Sequence, residues 1–292
     1  MYELNQVSES CFYIQSPAKI GLIKLNEKDV YLIDSGNDKE AGKKVRQILE
    51  KNNWNLKAIY NTHSNADHIG GNKYLQNQTN CKIYAPTIES AFTKSPVLEP
   101  SFLYGGFPFS DLKHKFLMAQ ESDVEILKDE NLPKNLSVID LKGHFFEMVG
   151  FKHSDGVIYL ADCLSSKIIL DKYKITFIYD VKCYLETLEI VKQLEGNIFI
   201  PSHSDVTENI KELAQYNIDT VNEIADLIVK LLNKPMTFEK LLKVLFDYFK
   251  LQMTPEQYVL VGSTVRSYLS YLKDNNRIEF SFVENEMLWS AL

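Results

Sequence analysis

The chain is short of positive charge: 32 Lys and Arg stand against 39 Asp and Glu in 292 residues, a net charge of −7. That balance argues against a general binder of nucleic acid or of an anionic membrane. Long apolar runs are also missing. No stretch approaches the eighteen apolar residues of a membrane-spanning helix, and residues 1–20 lack the basic-then-apolar layout of a secretory leader. Cysteine is scarce. Cys11, Cys81, Cys163 and Cys183 form no CxxC pair and no tight framework, so reduced thiols in a cytoplasmic protein are expected. No internal repeat or low-complexity tract occurs. What remains is ordinary for a globular protein with a full core: 45% hydrophobic and 24% charged residues. The length suggests two domains, or one large domain with an appendage.

Histidine is rare as well, with six in the chain, and its placement is informative. Two of the six fall in Thr62-His63-Ser64-Asn65-Ala66-Asp67-His68-Ile69-Gly70-Gly71, directly after the β-forming run Ala58-Ile59-Tyr60. Imidazoles and a carboxylate at i, i+4 and i+5, where a strand gives way to a helix, converge on a point and suit Zn, Mn or Fe. The glycine pair lets the backbone pass close to its neighbours. Three further apolar runs end in the same way. Ser137–Leu141 leads to Gly143-His144, Val157–Ala161 to Asp162, and Asn197–Ile200 to Pro201-Ser202-His203. In layered α/β sheets, sites form at the carboxyl ends of strands.

The rest of the first 206 residues reads as a sheet-and-helix layer. Ser10–Ile14, Ile20–Leu25 and Asp29–Asp34 predict an antiparallel meander, the third strand buried on both faces because Val30-Tyr31-Leu32-Ile33 is apolar throughout. Ala41, Val45, Ile48 and Leu49 predict an amphipathic helix over Lys39–Asn52, and Lys82–Ala85 a further strand. Residues 86–136 are irregular and rich in aromatics, Gly and Pro around Phe102–Phe109. Two readings stay open for them: a lid or pocket wall, or an insertion used for packing or a dimer contact. His114 and His153 fit no motif and read as ordinary surface or core histidines.

The ordered set TH-x-x-x-DH-x-GG, then GH, then a strand-end Asp, then P-x-H, resembles the metallo-β-lactamase superfamily over residues 10–205. The resemblance implies a four-layer αββα sandwich with a metal site at one edge. It makes His63 and His144 ligands of a first metal position. Asp67, His68 and His203 become ligands of a second, with Asp162 bridging both and Asp34 propping the ligand loop from behind. One or two divalent ions are implied, Zn first, with Mn or Fe as alternatives. The family has a second histidine where this chain has Asn65. An amide oxygen is a weaker ligand for Zn than imidazole, so the first position is expected to bind more weakly.

Beyond residue 206 the pattern turns helical. Thr207–Asn233 carries a long apolar stripe, Thr237 and Thr254-Pro255 open two more helices, and Arg277–Val283 with Glu286–Trp289 predict a hairpin. Helices followed by a hairpin resemble the winged helix appended to one branch of the same superfamily. This tail holds nine Lys and Arg against twelve Asp and Glu, which favours a dimer contact or a pocket wall over nucleic-acid binding. The expected activity is metal-dependent hydrolysis of an ester, thioester or related small acyl substrate, with Asp67 and Asp162 holding hydroxide and receiving its proton. Tyr104, Tyr173 and Tyr179 are candidate donors to a leaving group. The alternatives are a phosphodiesterase or ribonuclease of the same superfamily, and a non-haem iron oxidoreductase on the same fold.

Overall fold

Short, nearly unbroken apolar runs near the amino terminus close into an antiparallel meander that then turns parallel. A computed structural model describes residues 2–292. Its first sheet runs in sequence order through β1 (Glu3–Gln6), β2 (Cys11–Gln15), β3 (Ile20–Lys24), β4 (Asp29–Ile33), β5 (Asn55–Tyr60), β6 (Lys82–Ala85) and β7 (Glu125–Ile126). Pairing is antiparallel from β1 to β4 and parallel from β4 to β7. The parallel steps need crossovers. These are α1 (Lys39–Lys51), then α2 (Ala66–Ile69) with α3 (Asn72–Thr79), then α4 (Thr87–Lys94) with α5 (Leu98–Tyr104). Asp38 caps α1 by accepting from the Ala41 N–H.

The second sheet has the order β11-β10-β9-β8, with β8 (Leu136–Asp140), β9 (Val149–His153), β10 (Val157–Ser165) and β11 (Ile198–His203). Helices α6 (Lys167–Tyr173) and α7 (Val181–Gln193) join β10 to β11. Three apolar layers bind the stack, which makes the architecture αββα. Val45, Leu49 and Leu75 of α1 and α3 pack on Ile14, Leu22, Leu32 and Ile59 of the first sheet. Ile23, Ile33 and Tyr60 meet Phe151, Tyr159 and Ile200 between the sheets. Ile158, Leu160 and Phe199 face Leu188, Val191 and Ile218 beyond the second sheet. The strand β4 feeds two layers, Val30 and Leu32 on one face and Ile33 on the other, as an unbroken apolar run requires.

Residues 204–292 add α8 (Lys211–Leu231), α9 (Phe238–Phe249), α10 (Pro255–Asp274) and the hairpin β12 (Ile278–Val283) with β13 (Glu286–Ala291). Val261, Val265, Tyr268 and Leu269 of α10 belong to the same apolar cluster as α7 and α8, so the tail shares a core with the sandwich. Among the described residues no helix is long and apolar enough to cross a membrane.

Several boundaries differ from expectation. The run Val157–Ala161 does not end at Asp162: β10 continues to Ser165, because Cys163 and Leu164 are apolar and buried. Ala161 has φ +50, and the register against β11 shifts on both sides of it. This irregularity re-aims the strand where it delivers Asp162. Similarly β11 runs through Pro201 to His203, tolerable because β11 is an edge strand. Residues 86–136 are more regular than their composition suggests, holding α4, α5 and β7. The long tail helix starts at Lys211, four residues later than its apolar stripe implied.

The glycine pair after the ligand stretch has a steric role. A Cβ on Gly71 would fall onto the Ser35 carbonyl oxygen, and one on Gly70 onto the Asn37–Asp38 backbone. Gly71→Ala is therefore expected to cost ~1–3 kcal/mol of stability, read by chemical denaturation. An unchanged midpoint would mean that the Ser35 turn yields freely.

Candidate metal centre

One carboxylate organises the ligand loop. Asp34 follows β4 at φ +62, a left-handed conformation that non-glycine residues seldom adopt. Its Oδ1 accepts the Thr62 N–H at 2.8 Å and its Oδ2 accepts the Thr62 hydroxyl at 2.7 Å. Oδ2 also stands 2.8 Å from His68 Nδ1. Since the Thr62 hydroxyl gives its proton to Asp34, it accepts from His63 Nδ1 at 2.9 Å. Both imidazoles thus carry hydrogen on Nδ1 and turn Nε2 inward. The same logic holds His203, whose Nδ1 donates to the Pro17 carbonyl at 3.0 Å.

The inward nitrogens meet two carboxylates. His68 Nε2 lies 3.0 Å from Asp162 Oδ1 and 3.8 Å from Asp67 Oδ2. His203 Nε2 lies 3.1 Å from Asp162 Oδ2 and 3.2 Å from Asp67 Oδ2. On the other side of Asp162, His144 Nε2 is 3.6 Å from Oδ2 and 3.2 Å from Asn65 Oδ1, and the His63 ring sits 5.2 Å from the His144 ring. Donors of Asp67, His68, Asp162 and His203 form one group within 4.8 Å, and those of His63, His144 and Asp162 another. A tetrahedral ion with bonds of ~2.0–2.1 Å separates its ligand atoms by about 3.3 Å, so these spacings fit a cation in either group. Among the described residues, His63 Nε2, His68 Nε2 and Asp162 Oδ1 are buried without a hydrogen-bond partner. Buried polar atoms in that state are costly; the His63 Nε2 lone pair, together with His68 Nε2 and Asp162 Oδ1 once the proton between them leaves, is what a cation satisfies.

Electrostatics separate the two groups. Burial disfavours charge on His68, yet Asp162, Asp67 and Asp34 outweigh it and hold the imidazole well above its usual pKa. His203 is likewise raised to about 10, burial being overcome by Asp162 and Asp67. Burial alone would raise Asp67 and Asp162, but the two imidazoliums keep both carboxyls low. His63 and His144 are pushed down, by burial first, and stay neutral. Without a cation, two protons therefore occupy the Asp67–His68–Asp162–His203 group. Raised histidines contribute stability fully present below about pH 6.5, and His203's share is lost as pH rises through about 10. Chelator-treated protein should lose thermal stability between pH 6.5 and 10. Zinc binding near pH 7 should release about two protons from this group, measured by calorimetry in buffers of differing ionisation enthalpy. Zinc uptake without proton release would contradict this charge assignment.

Two residues that the sequence reading left out also hold the loop. Glu89 of α4 accepts from Ser64 N, Ser64 Oγ and Glu147 N at 3.0, 2.6 and 2.8 Å. Glu99 of α5 accepts from Asn65 Nδ2 at 2.7 Å. Burial pushes Glu89 up to about 7 and Glu99 well above the ordinary carboxyl range. Behind His144 stand Phe177 and Phe145, the latter against Phe92 and Phe102. Of the candidate donors, Tyr179 stacks on Phe146, Tyr104 packs edge-on against Phe109, and the Tyr173 ring lies beneath the Lys172 ammonium. His153 is buried beside Asp155 and Asn135, and His114 pairs with Glu256 of α10. The chain places neither with the other four histidines.

A four-layer α/β sandwich that gathers imidazoles and carboxylates at one edge of its paired sheets defines a class of metal-dependent hydrolases. The chain belongs to the Metallo-beta-lactamase superfamily, whose family model matches residues 14–203. Comparison with curated protein sequences gives no match. Its fold is similar to that of a metallo-beta-lactamase family protein from Thermus thermophilus, with TM-score 0.74 and 16% identity over 97% of this chain and 98% of that one. A beta-lactamase domain protein from Burkholderia ambifaria gives TM-score 0.72 and 14% identity over 99% and 94%. A subclass B3 metallo-beta-lactamase isolated from a soil metagenome library gives 0.58 and 16% over 76% and 94%. The first two similarities include the tail.

Proposed function

We propose that this metal-dependent hydrolase acts on an ester, thioester or related small acyl compound, as hydroxyacylglutathione hydrolases do. We assign its cation, zinc in the first instance, to the groups around Asp162. The observation that supports this reading most is the convergence of buried donor atoms around Asp162: His63 Nε2 has no partner, and His68 Nε2 and Asp162 Oδ1 have none but each other. Imidazole and carboxylate donors together suit Zn, with Mn or Fe as the alternatives. A divalent cation held there supplies a nucleophile at neutral pH and an electrophilic contact for the carbonyl oxygen.

The chain's own groups divide the remaining work. Asp162, 9% exposed at its side chain, is shared by both positions, while Asp67 is 36% exposed and faces the opening. Asp67 is therefore the group placed to take a proton from the nucleophile and pass it outward. The Phe145 and Phe177 rings shield the His144 side from water. We assign residues 1–206 to the catalytic domain and 207–292 to a winged-helix-like tail. Leu103, Leu112 and Leu117 of the 86–136 insertion pack on Val259 of α10, which favours a pocket wall supported by the tail. The four free cysteines, three of them buried, suit the cytoplasm.

The test is a substrate panel on zinc-, manganese- and iron-loaded protein: a glutathione thioester, an aryl ester, an aryl phosphodiester and single-stranded RNA. Chelator-sensitive hydrolysis of the acyl compounds is expected. Turnover confined to the phosphodiester or RNA, or salt-sensitive submicromolar RNA binding by the chain, would replace this reading with the nuclease one.

A further inference from the structure

The loop from Thr62 to His68 is gripped from two sides by three buried carboxyl groups. Asp34 holds its two ends, at Thr62 and His68. From the opposite side, Glu89 holds Ser64 and Glu99 holds Asn65. Glu89 and Glu99 are both at most 4% exposed and lie on successive helices of the insertion, α4 and α5. Their roles differ in kind. Ser64 directs no donor atom toward the His63–His144 group, so Glu89 fastens main chain. Asn65 does direct one: its Oδ1 lies 3.2 Å from His144 Nε2, on the side where the unpartnered His63 Nε2 also points.

An amide is asymmetric. Rotated by half a turn, the same side chain would present Nδ2 hydrogens to that group and repel a cation. When His144 Nε2 presents its lone pair to a cation, the near side no longer fixes the amide; the far side then decides its orientation, and what lies there is an acceptor. Glu99 Oε1 takes the Nδ2 hydrogen at 2.7 Å. We propose that Glu99 is a positioning residue: by binding the amide nitrogen of Asn65 it turns Oδ1 inward and makes Asn65 a third protein donor beside His63 and His144. This rests on the cation assignment made above. It also gives a structural basis to the expectation that Asn65 is an amide ligand of the first position, weaker than imidazole. Here the amide that replaces an imidazole comes with a buried partner dedicated to its orientation, in the way an outer carboxylate orients a ligating histidine.

The experiment is a competitive chelator titration with Zn²⁺, reading the two positions separately, on the full chain. Glu99→Gln keeps an acceptor oxygen and should bind as wild type does. Glu99→Leu should weaken the His63–His144 position by ~10–100-fold and leave the other position within about twofold. Asn65→Ala should cause the same loss, and adding Glu99→Leu to it should cost nothing more, because a positioning residue acts only through the residue it positions. A carboxylate presents oxygen whichever way it turns, so Asn65→Asp/Glu99→Leu should recover binding at least to the wild-type level. Should Glu99→Leu fold poorly, Asn65→Asp/Glu99→Gln carries the same expectation, and tenfold weaker binding in it overturns the proposal. Undiminished first-position affinity in Glu99→Leu, or a further loss in the Asn65→Ala background, also overturns it. Wild type that binds no zinc would instead sink the underlying cation assignment.

Discussion

Asp162→Ala should empty both cation positions at once. Of the candidate ligands, Asp162 alone has donor atoms in both groups: Oδ1 faces His68, and Oδ2 faces His203 and His144. Removing it takes one donor from each position and leaves three imidazoles without a shared anion. Loss of an outer partner costs ~10–100-fold in metal affinity, and an inner, shared donor should cost at least ~100-fold at each position. The kcat/KM for hydrolysis at limiting zinc should fall in proportion. His203→Ala is the contrasting variant, since His203 belongs only to the group with Asp67 and His68. It should weaken that position and spare the His63–His144 one. Equilibrium dialysis followed by elemental analysis separates the two patterns. Equal metal loss in both variants would mean that the positions are not independent.

Asp34→Asn should be the most damaging change outside the ligands themselves. The substitution keeps size and suits the positive φ at residue 34, because asparagine enters the left-handed region more readily than most residues. What changes is hydrogen. An asparagine carbonyl can still accept from Thr62 N, but its NH2 then faces His68 Nδ1 and the Thr62 hydroxyl, both of which now donate to Asp34. In the neutral form that binds a cation, His68 is driven to carry its hydrogen on Nε2, which blocks the lone pair that faces Asp162. Through the Thr62 hydroxyl, the tautomer of His63 is disturbed as well. Metal affinity should fall at both positions by ~10–100-fold. Stability should fall by ~1–3 kcal/mol for each buried group left unmatched. Nitrogen NMR of the histidine rings reads the tautomers directly. Unchanged Nδ1–H tautomers in Asp34→Asn would refute the relay.

The site is legible in the sequence where chemistry and position coincide. His203 closes β11, and His63, His68 and His144 stand in the segments just after β5 and β8, where a buried imidazole has few reasons to exist other than as a ligand or a satisfied core group; His153, which closes β9, is the latter. Asp34 is legible only through family pattern, since an Asp-Ser-Gly turn by itself is an ordinary turn. Glu89 and Glu99 are hidden because a glutamate on a short helix normally faces water. Their burial depends on the loop that they touch, 25 and 34 residues earlier in the chain. The orientation of Asn65 is hidden for the same reason. Secondary structure follows suit. Unbroken apolar runs such as Val30–Ile33 announce their strands, whereas polar β1 and the short helices α4 and α5 take their form from tertiary contacts. The end of β10 is hidden because Asp162 looks like a strand terminator. The bulge at Ala161 lets the strand carry it onward.

The most direct test of a two-position cation site centred on Asp162 is anomalous diffraction at the zinc edge from crystals grown with zinc. Two peaks should flank Asp162, one within ~2.0–2.2 Å of donors from Asp67, His68 and His203, the other within that range of His63 and His144. A peak confined to another cluster, such as Cys11, His153 and Asp155, or no peak near Asp162 at saturating zinc, would contradict such a site.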